Sequence, residues 1–189
     1  MKKPAVVRGF CLLLILALTS PFAPAAWAAS ALGQIVAQQP AAVNDVPVRD
    51  HATLFSGDRL TTGVEGWARV QLPENNQLHL HAESVARVER RGERLAVLLD
   101  QGQVTMRTHG QNGLHVHSNA LEIASQTTDD TVWDVTRLSD KRTRVAVHRG
   151  TLEVRGLNQV IELTAGQSVE VQTEFGPNFD PEARRRMQA

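Results

Sequence analysis

The chain has 189 residues with 20 Lys+Arg, 20 Asp+Glu, seven histidines and a single cysteine. Charge in balance leaves no basic surplus to neutralise a phosphate backbone, so nucleic acid is not expected as a partner. One cysteine excludes a disulfide framework within the chain.

Lys2, Lys3 and Arg8 precede a short apolar run, Phe10 to Leu18, which Pro21 and Pro24 break before Ala26-Trp27-Ala28. A positive end, an apolar stretch and small residues around a cut site predict an export signal over residues 1–28 and a mature chain from Ala29. The run is shorter than the ~20 apolar residues a spanning helix needs, so no stable membrane insertion is expected after cleavage. Cys11 lies inside the run, not at a lipoprotein cleavage site. The expected location is therefore the periplasm or beyond. Cleavage removes Lys2, Lys3 and Arg8, leaving 17 cations against 20 anions and no cysteine. Disulfides, thiolate nucleophiles and thiolate metal sites are then excluded. Roughly 160 residues remain, enough for one domain with a real core. We place that domain at 29–174 and a tail at 175–189.

Period-2 runs fill the domain. They cover Gln34 to Ala37, Trp67 to Leu72, Gln77 to His81, Val85 to Glu89, Arg94 to Leu99 and Gln103 to Arg107. They continue through Leu114 to His117, Leu121 to Ala124, Val132 to Leu138, Thr143 to His148, Leu152 to Arg155, Val160 to Leu163 and Ser168 to Gln172. Turn residues punctuate them: Gly57-Asp58, Gly63 to Gly66, Glu74-Asn75-Asn76, Arg91-Gly92, Gln101-Gly102, Asn112-Gly113, Ser139-Asp140-Lys141, Arg149-Gly150, Gly156 and Ala165-Gly166. One apolar face per strand and short turns predict an all-β fold, an antiparallel β-sandwich or roll or a short solenoid. A short C-terminal helix is expected where Asp180 caps, Pro181 opens and Glu182 to Met187 follow.

Leu98 to Thr105 is similar to Val145 to Leu152, each reading as strand, a turn ending in Gly, then strand. The expectation is that Gly102 and Gly150 adopt positive φ where the chain reverses.

Six segments in order carry a family resemblance: Gly33 to Val36, Gly57-Asp58-Arg59-Leu60-Thr61-Thr62-Gly63, Val97 to Val104, Thr131 to Val135, Thr143 to Val154 and Leu163 to Val169. Together they resemble a FecR-like domain from about Leu32 to Thr173. Asp130 stands where that family usually has Gly, and Pro73-Glu74-Asn75-Asn76 replaces an Asp-Gly type turn. The namesake regulators also carry a cytoplasmic anti-sigma segment and a membrane helix, neither expected here, so their iron-signalling role does not transfer. The resemblance implies an exported, non-catalytic sensing or binding module without a cofactor. Its partner would be another envelope protein or an envelope ligand.

Histidines supply the rival reading. His79-Leu80-His81 and His115-Val116-His117 are H-x-H pairs on predicted strands, and i, i+2 side chains share a face. Were the four to converge, neutral imidazoles would suit Zn, Cu or Ni, making this a metal-binding β domain. The other expectation is that Leu78, Leu80, Leu114 and Val116 take the core and the histidines face out. A cupin would need a Glu further on than Glu83. No G-x-S-x-G, Walker A or H-E-x-x-H motif is present, so no enzyme activity is expected. Asp129, Asp130 and Asp134 lack a calcium loop's glycine turn and read as a solvated hairpin tip. Arg184-Arg185-Arg186 reads as a solvated tail. Trp67 and Trp133 are expected in the core; an exposed Trp would instead mark a glycan or partner surface. A structural envelope protein is the third reading.

Overall fold

A computed structural model describes residues 30–38, 40–109, 114–127, 129–156 and 159–172. The export signal over 1–28, the Asn112-Gly113 turn and the tail at 175–189 with its helix lie outside the described residues. Among the described residues no helix is long and apolar enough to cross a membrane.

The chain alternates between two sheets, here the front and the back. β1 (Ala31–Gln38) lies in front; β2 (Ala41–Val43) and β3 (Val46–Pro47) lie behind; β4 (His51–Phe55) returns to the front and β5 (Asp58–Thr62) to the back. β6 (Trp67–Gln71) and β7 (Gln77–Leu80) form a front hairpin, and β8 (Val85–Arg91) lies behind. β9 (Arg94–Thr108) starts in the back sheet and ends in the front one. Then come β10 (Leu114–Ser118) and β11 (Leu121–Ser125) behind, and β12 (Thr131–Arg137) and β13 (Arg142–Arg149) in front. β14 (Thr151–Gly156) and β15 (Gln159–Thr164) follow behind, and β16 (Ser168–Gln172) in front.

Strand order in front is β4-β1-β6-β7-β9-β12-β13-β16, and behind it is β3-β2-β5-β8-β9-β10-β11-β14-β15. Both orders rise almost steadily with sequence, so the chain winds along the sandwich. Among the described residues all pairings are antiparallel except β9 with β10, which run parallel. The expected antiparallel sandwich is therefore a mixed one, and its winding has the character of the solenoid alternative.

Period 2 explains the core. Leu78 and Leu80 of β7, Val104 and Met106 of β9, and Trp133 and Val135 of β12 face inward from the front sheet. Val88, Val97, Val116 and Ile123 face them from the back in the same cluster. Removing each such side chain from water contributes about 1.5–3 kcal/mol. Trp133 is fully buried, as expected. Trp67 is not. It is half-exposed on the outer face of the front sheet, with Ala68 and Val70 taking the core.

The glycines have a different role from the one expected. Gly102 (φ 80°) is not in a hairpin: β9 runs through it as a single strand, with a register shift opposite Val85 and Ala86. It marks the point where β9 passes from the back sheet to the front. Gly150 (φ 84°) likewise stands between β13 in front and β14 behind. Gly57 and Gly166 occupy the same kind of corner, between β4 and β5 and between β15 and β16. The internal similarity thus encodes a change of sheet, not a reversal within one. At Gly57 the turn is held by Asp58, whose carboxylate accepts hydrogen bonds from Phe55 N (2.7 Å) and Asn44 Nδ2 (2.7 Å).

The Asp129-Asp130 stretch is also no hairpin tip, since it joins β11 behind to β12 in front. Four short strands, β2 to β5, fall outside the alternating runs of the sequence. At Pro73-Glu74-Asn75 the chain makes a single 3-10 turn, with positive φ at Glu74 and Asn75.

Candidate functional site

Strand register brings polar side chains from distant parts of the chain into rows on the outer face of the front sheet. Arg69, His79, Thr105 and Asp134 pair in sequence across β6, β7, β9 and β12. Gln71, Gln77, Arg107, Val132 and Arg149 form the next row and extend it to β13. The alternation that buries Leu78 and Met106 necessarily turns these neighbours outward.

A line of hydrogen bonds crosses the first row. His81 Nε2 lies 2.8 Å from Thr105 Oγ1, which donates to Asp134 Oδ1 at 2.6 Å. His148 Nε2 lies 2.8 Å from Asp134 Oδ2. Directions follow from the inventory of protons. The single Thr105 proton goes to the carboxylate, so His81 donates to Thr105, and His148 donates to the acceptor-only Asp134. Both imidazoles are thereby fixed with Nε2 protonated.

Next to this line His79 stacks on His81 with centroids 4.8 Å apart, and Trp67 meets His79 edge-on at 5.8 Å. The Trp67 indole N–H donates to Gln38 Oε1 at 2.6 Å. Burial first, then the adjoining His81 and Arg69, hold the His79 imidazole below its usual value. His79 Nε2 is buried without a hydrogen-bond partner. Asp130 accepts from Arg107 Nη2 at 2.8 Å and His109 Nδ1 at 2.7 Å. These two hydrogen bonds hold its carboxyl down at about 2.

The rows border a groove of about 510 Å³ whose lining includes Arg69, Gln77, His79, Arg107, His148 and Arg149. A second groove of about 340 Å³ continues from Arg69 and His79 over His81 to Trp67 and Glu65.

The other H-x-H pair is elsewhere. His115 and His117 lie on β10 with Leu114 and Val116 in the core, so they project from the outer face of the back sheet. Their rings stack at 6.5 Å, and His115 Nδ1 approaches Glu122 Oε1 at 2.6 Å without hydrogen-bond alignment. Burial first lowers the His117 imidazole, with Glu122 opposing it. The structure therefore pairs His79 with His81 and His115 with His117 but keeps the two pairs on opposite sides of the sandwich. Among the described residues no group of three or more His, Cys, Asp or Glu is placed to hold a metal ion. Sequence reasoning missed Thr105, His148 and the three arginines. Each sits at an outward period-2 position, but only register shows that they meet.

A search among curated proteins found no match. Two crystal structures of a candidate anti-sigma factor from Parabacteroides distasonis, at 1.65 and 2.50 Å, are similar to this chain. Each gives a TM-score of 0.53 at 20% identity over 62% of this chain and 56% of that chain. The chain thus spans little more than half the length of those proteins, and at this identity the likeness shows the fold alone. Residues 58–153 match the family model described as FecR protein. The match starts at Asp58, whose carboxylate holds the first corner, and takes in the corners at Gly102 and Gly150. It ends at Glu153, so the first strand and the Leu163 to Val169 segment lie outside it. With just over half of its residues matched, the chain belongs to the FecR family.

Proposed function

We propose that this chain is an exported sensing module of the periplasm or cell envelope that acts by binding and passes its state to another envelope protein. The family is of a regulatory, non-catalytic kind whose members engage other proteins. The structural neighbours, described as candidate anti-sigma factors, agree with a signalling role. Export rests on Lys2, Lys3 and Arg8, the apolar Phe10 to Leu18 and the Ala26-Trp27-Ala28 cut site. The observation that carries the binding role is the front-sheet groove, in which Thr105 and His148 of the lining are held by the His81–Thr105–Asp134–His148 line. Side chains fixed in advance lower the ordering cost of binding.

Two measurements test the reading. Cell fractionation with N-terminal sequencing should find the chain in the periplasm starting at Ala29. Transcript profiling should show a change on gene deletion that the full chain restores. A cytoplasmic chain, a product retaining Phe10 to Leu18, or identical transcripts with and without the gene would overturn it.

A further inference from the structure

We propose that the front-sheet groove binds an acidic glycan, a sugar chain whose carboxylates meet Arg69 and Arg149 while its rings lie against Trp67 and the His79–His81 stack. The inference rests on the chain being a binding module and names the ligand class. Electrostatics come first. Of the carboxylates bordering the main groove, Asp134 is engaged by Thr105 and His148 and Asp130 by Arg107 and His109, while Glu65 stands at the Trp67 end of the second groove. Arg69 and Arg149 are exposed and have no ion-pair partner among the described residues. Each presents a planar fork that suits a carboxylate bidentately. They stand on β6 and β13, four inter-strand spacings or roughly 19 Å apart along the backbone, and both line the groove of about 510 Å³, a span that suits a short oligomer.

The floor of the groove then chooses between classes of chain. β6, β7, β9, β12 and β13 are hydrogen-bonded on both sides, so this face offers no free backbone edge. An extended peptide would gain its affinity by adding a strand at an edge. A ligand here is recognised by side chains alone. Those available are Trp67, with an apolar body and a polar tip, the imidazoles of His79 and His81, and the outward amide of Gln77. Aromatic rings serve the apolar faces of sugars, amides their hydroxyls, and guanidinium groups their carboxylates.

The test is calorimetric titration of the purified protein with oligogalacturonate, maltooligosaccharide and poly-L-glutamate. Saturable binding is expected for oligogalacturonate and none for the neutral sugar. Arg69→Gln and Arg149→Gln should each weaken binding about tenfold, the loss of one charge-assisted contact. Trp67→Ala should weaken it comparably, with circular dichroism confirming that each variant is folded. No binding of oligogalacturonate overturns the proposal. So does equal binding of poly-L-glutamate that Trp67→Ala leaves unchanged, which would indicate an acidic peptide. Equal binding of the neutral sugar overturns it as well. None of these results depends on the location of the chain or on its effect on transcripts, so the sensing role stands or falls separately.

Discussion

Substituting the corner glycines separates backbone strain from steric exclusion, because two of them differ in surroundings while sharing positive φ. Gly57 has φ 92° and nothing within 4 Å of the place a Cβ would occupy. Gly57→Ala therefore carries only the left-handed backbone cost, about 1–2 kcal/mol. At Gly102, with φ 80°, a Cβ would fall on Ser84 Oγ and come within 2.7 Å of Glu83 O and Ser84 Cα. Backbone atoms at that distance cannot yield cheaply. The Ser84 hydroxyl also accepts from Gln103 N at 2.9 Å and donates to Gln103 O at 3.0 Å, holding β9 where it changes sheet. Displacing it forfeits two hydrogen bonds at about 0.5–1.5 kcal/mol each. Gly102→Ala should thus cost about 2–5 kcal/mol, and Gly150→Ala, which meets the buried Thr131 side chain, should behave similarly. Urea unfolding midpoints at unchanged m measure the difference. Equal losses at Gly57 and Gly102 would refute the close approach at the corner, and no loss at either would refute the positive φ.

Arg107→Gln should raise the Asp130 carboxyl from about 2 towards the ordinary carboxylate range, read by carboxyl-carbon NMR; an unchanged titration would mean the ion pair does not form in solution. Since the folded value is the depressed one, the pair's contribution is present above the unfolded carboxylate value, ~3.9, and is lost as pH falls towards the folded one. Metal addition tests the histidine pairs. With His79 and His81 on one side of the sandwich, His115 and His117 on the other, and no metal-holding group among the described residues, excess Zn, Cu or Ni should leave the melting temperature unchanged. A ligand at a hundredfold excess over its Kd would add about 2.7 kcal/mol, so a rise of several degrees that vanishes on replacing His79, His81, His115 and His117 by Gln would establish the metal reading instead.

Parity was legible in the sequence; partnership was not. The alternation Trp67-Ala68-Arg69-Val70-Gln71-Leu72 already places Trp67 with Arg69 and Gln71 on the outer side, and the structure follows parity there against the hydrophobicity of the ring. His79 and His81 likewise fall outward because Leu78 and Leu80 fall inward. The short strands β2 and β3 escaped because Pro40 and Pro47 interrupt them before any alternation builds up.

What a local pattern cannot carry is the identity of the strand on the other side of a hydrogen bond. Strand, glycine, strand describes a hairpin and a corner equally well. At Gly102 and Gly150 the pattern therefore carries the sign of φ but not the change of sheet. The same limit hid the site. Thr105, Asp134 and His148 are set by the registers of β9, β12 and β13, and His81 follows directly on β7, so a one-residue slip in any of these strands would turn its contribution into the core. The corners and the site are thus one problem. Ser84 locks β9 at Gly102, that lock fixes where β9 enters the front sheet, and the entry point decides that Thr105 faces His81 on one side and Asp134 on the other. A family that keeps its corners can therefore keep a rigid outer face while changing the side chains displayed on it.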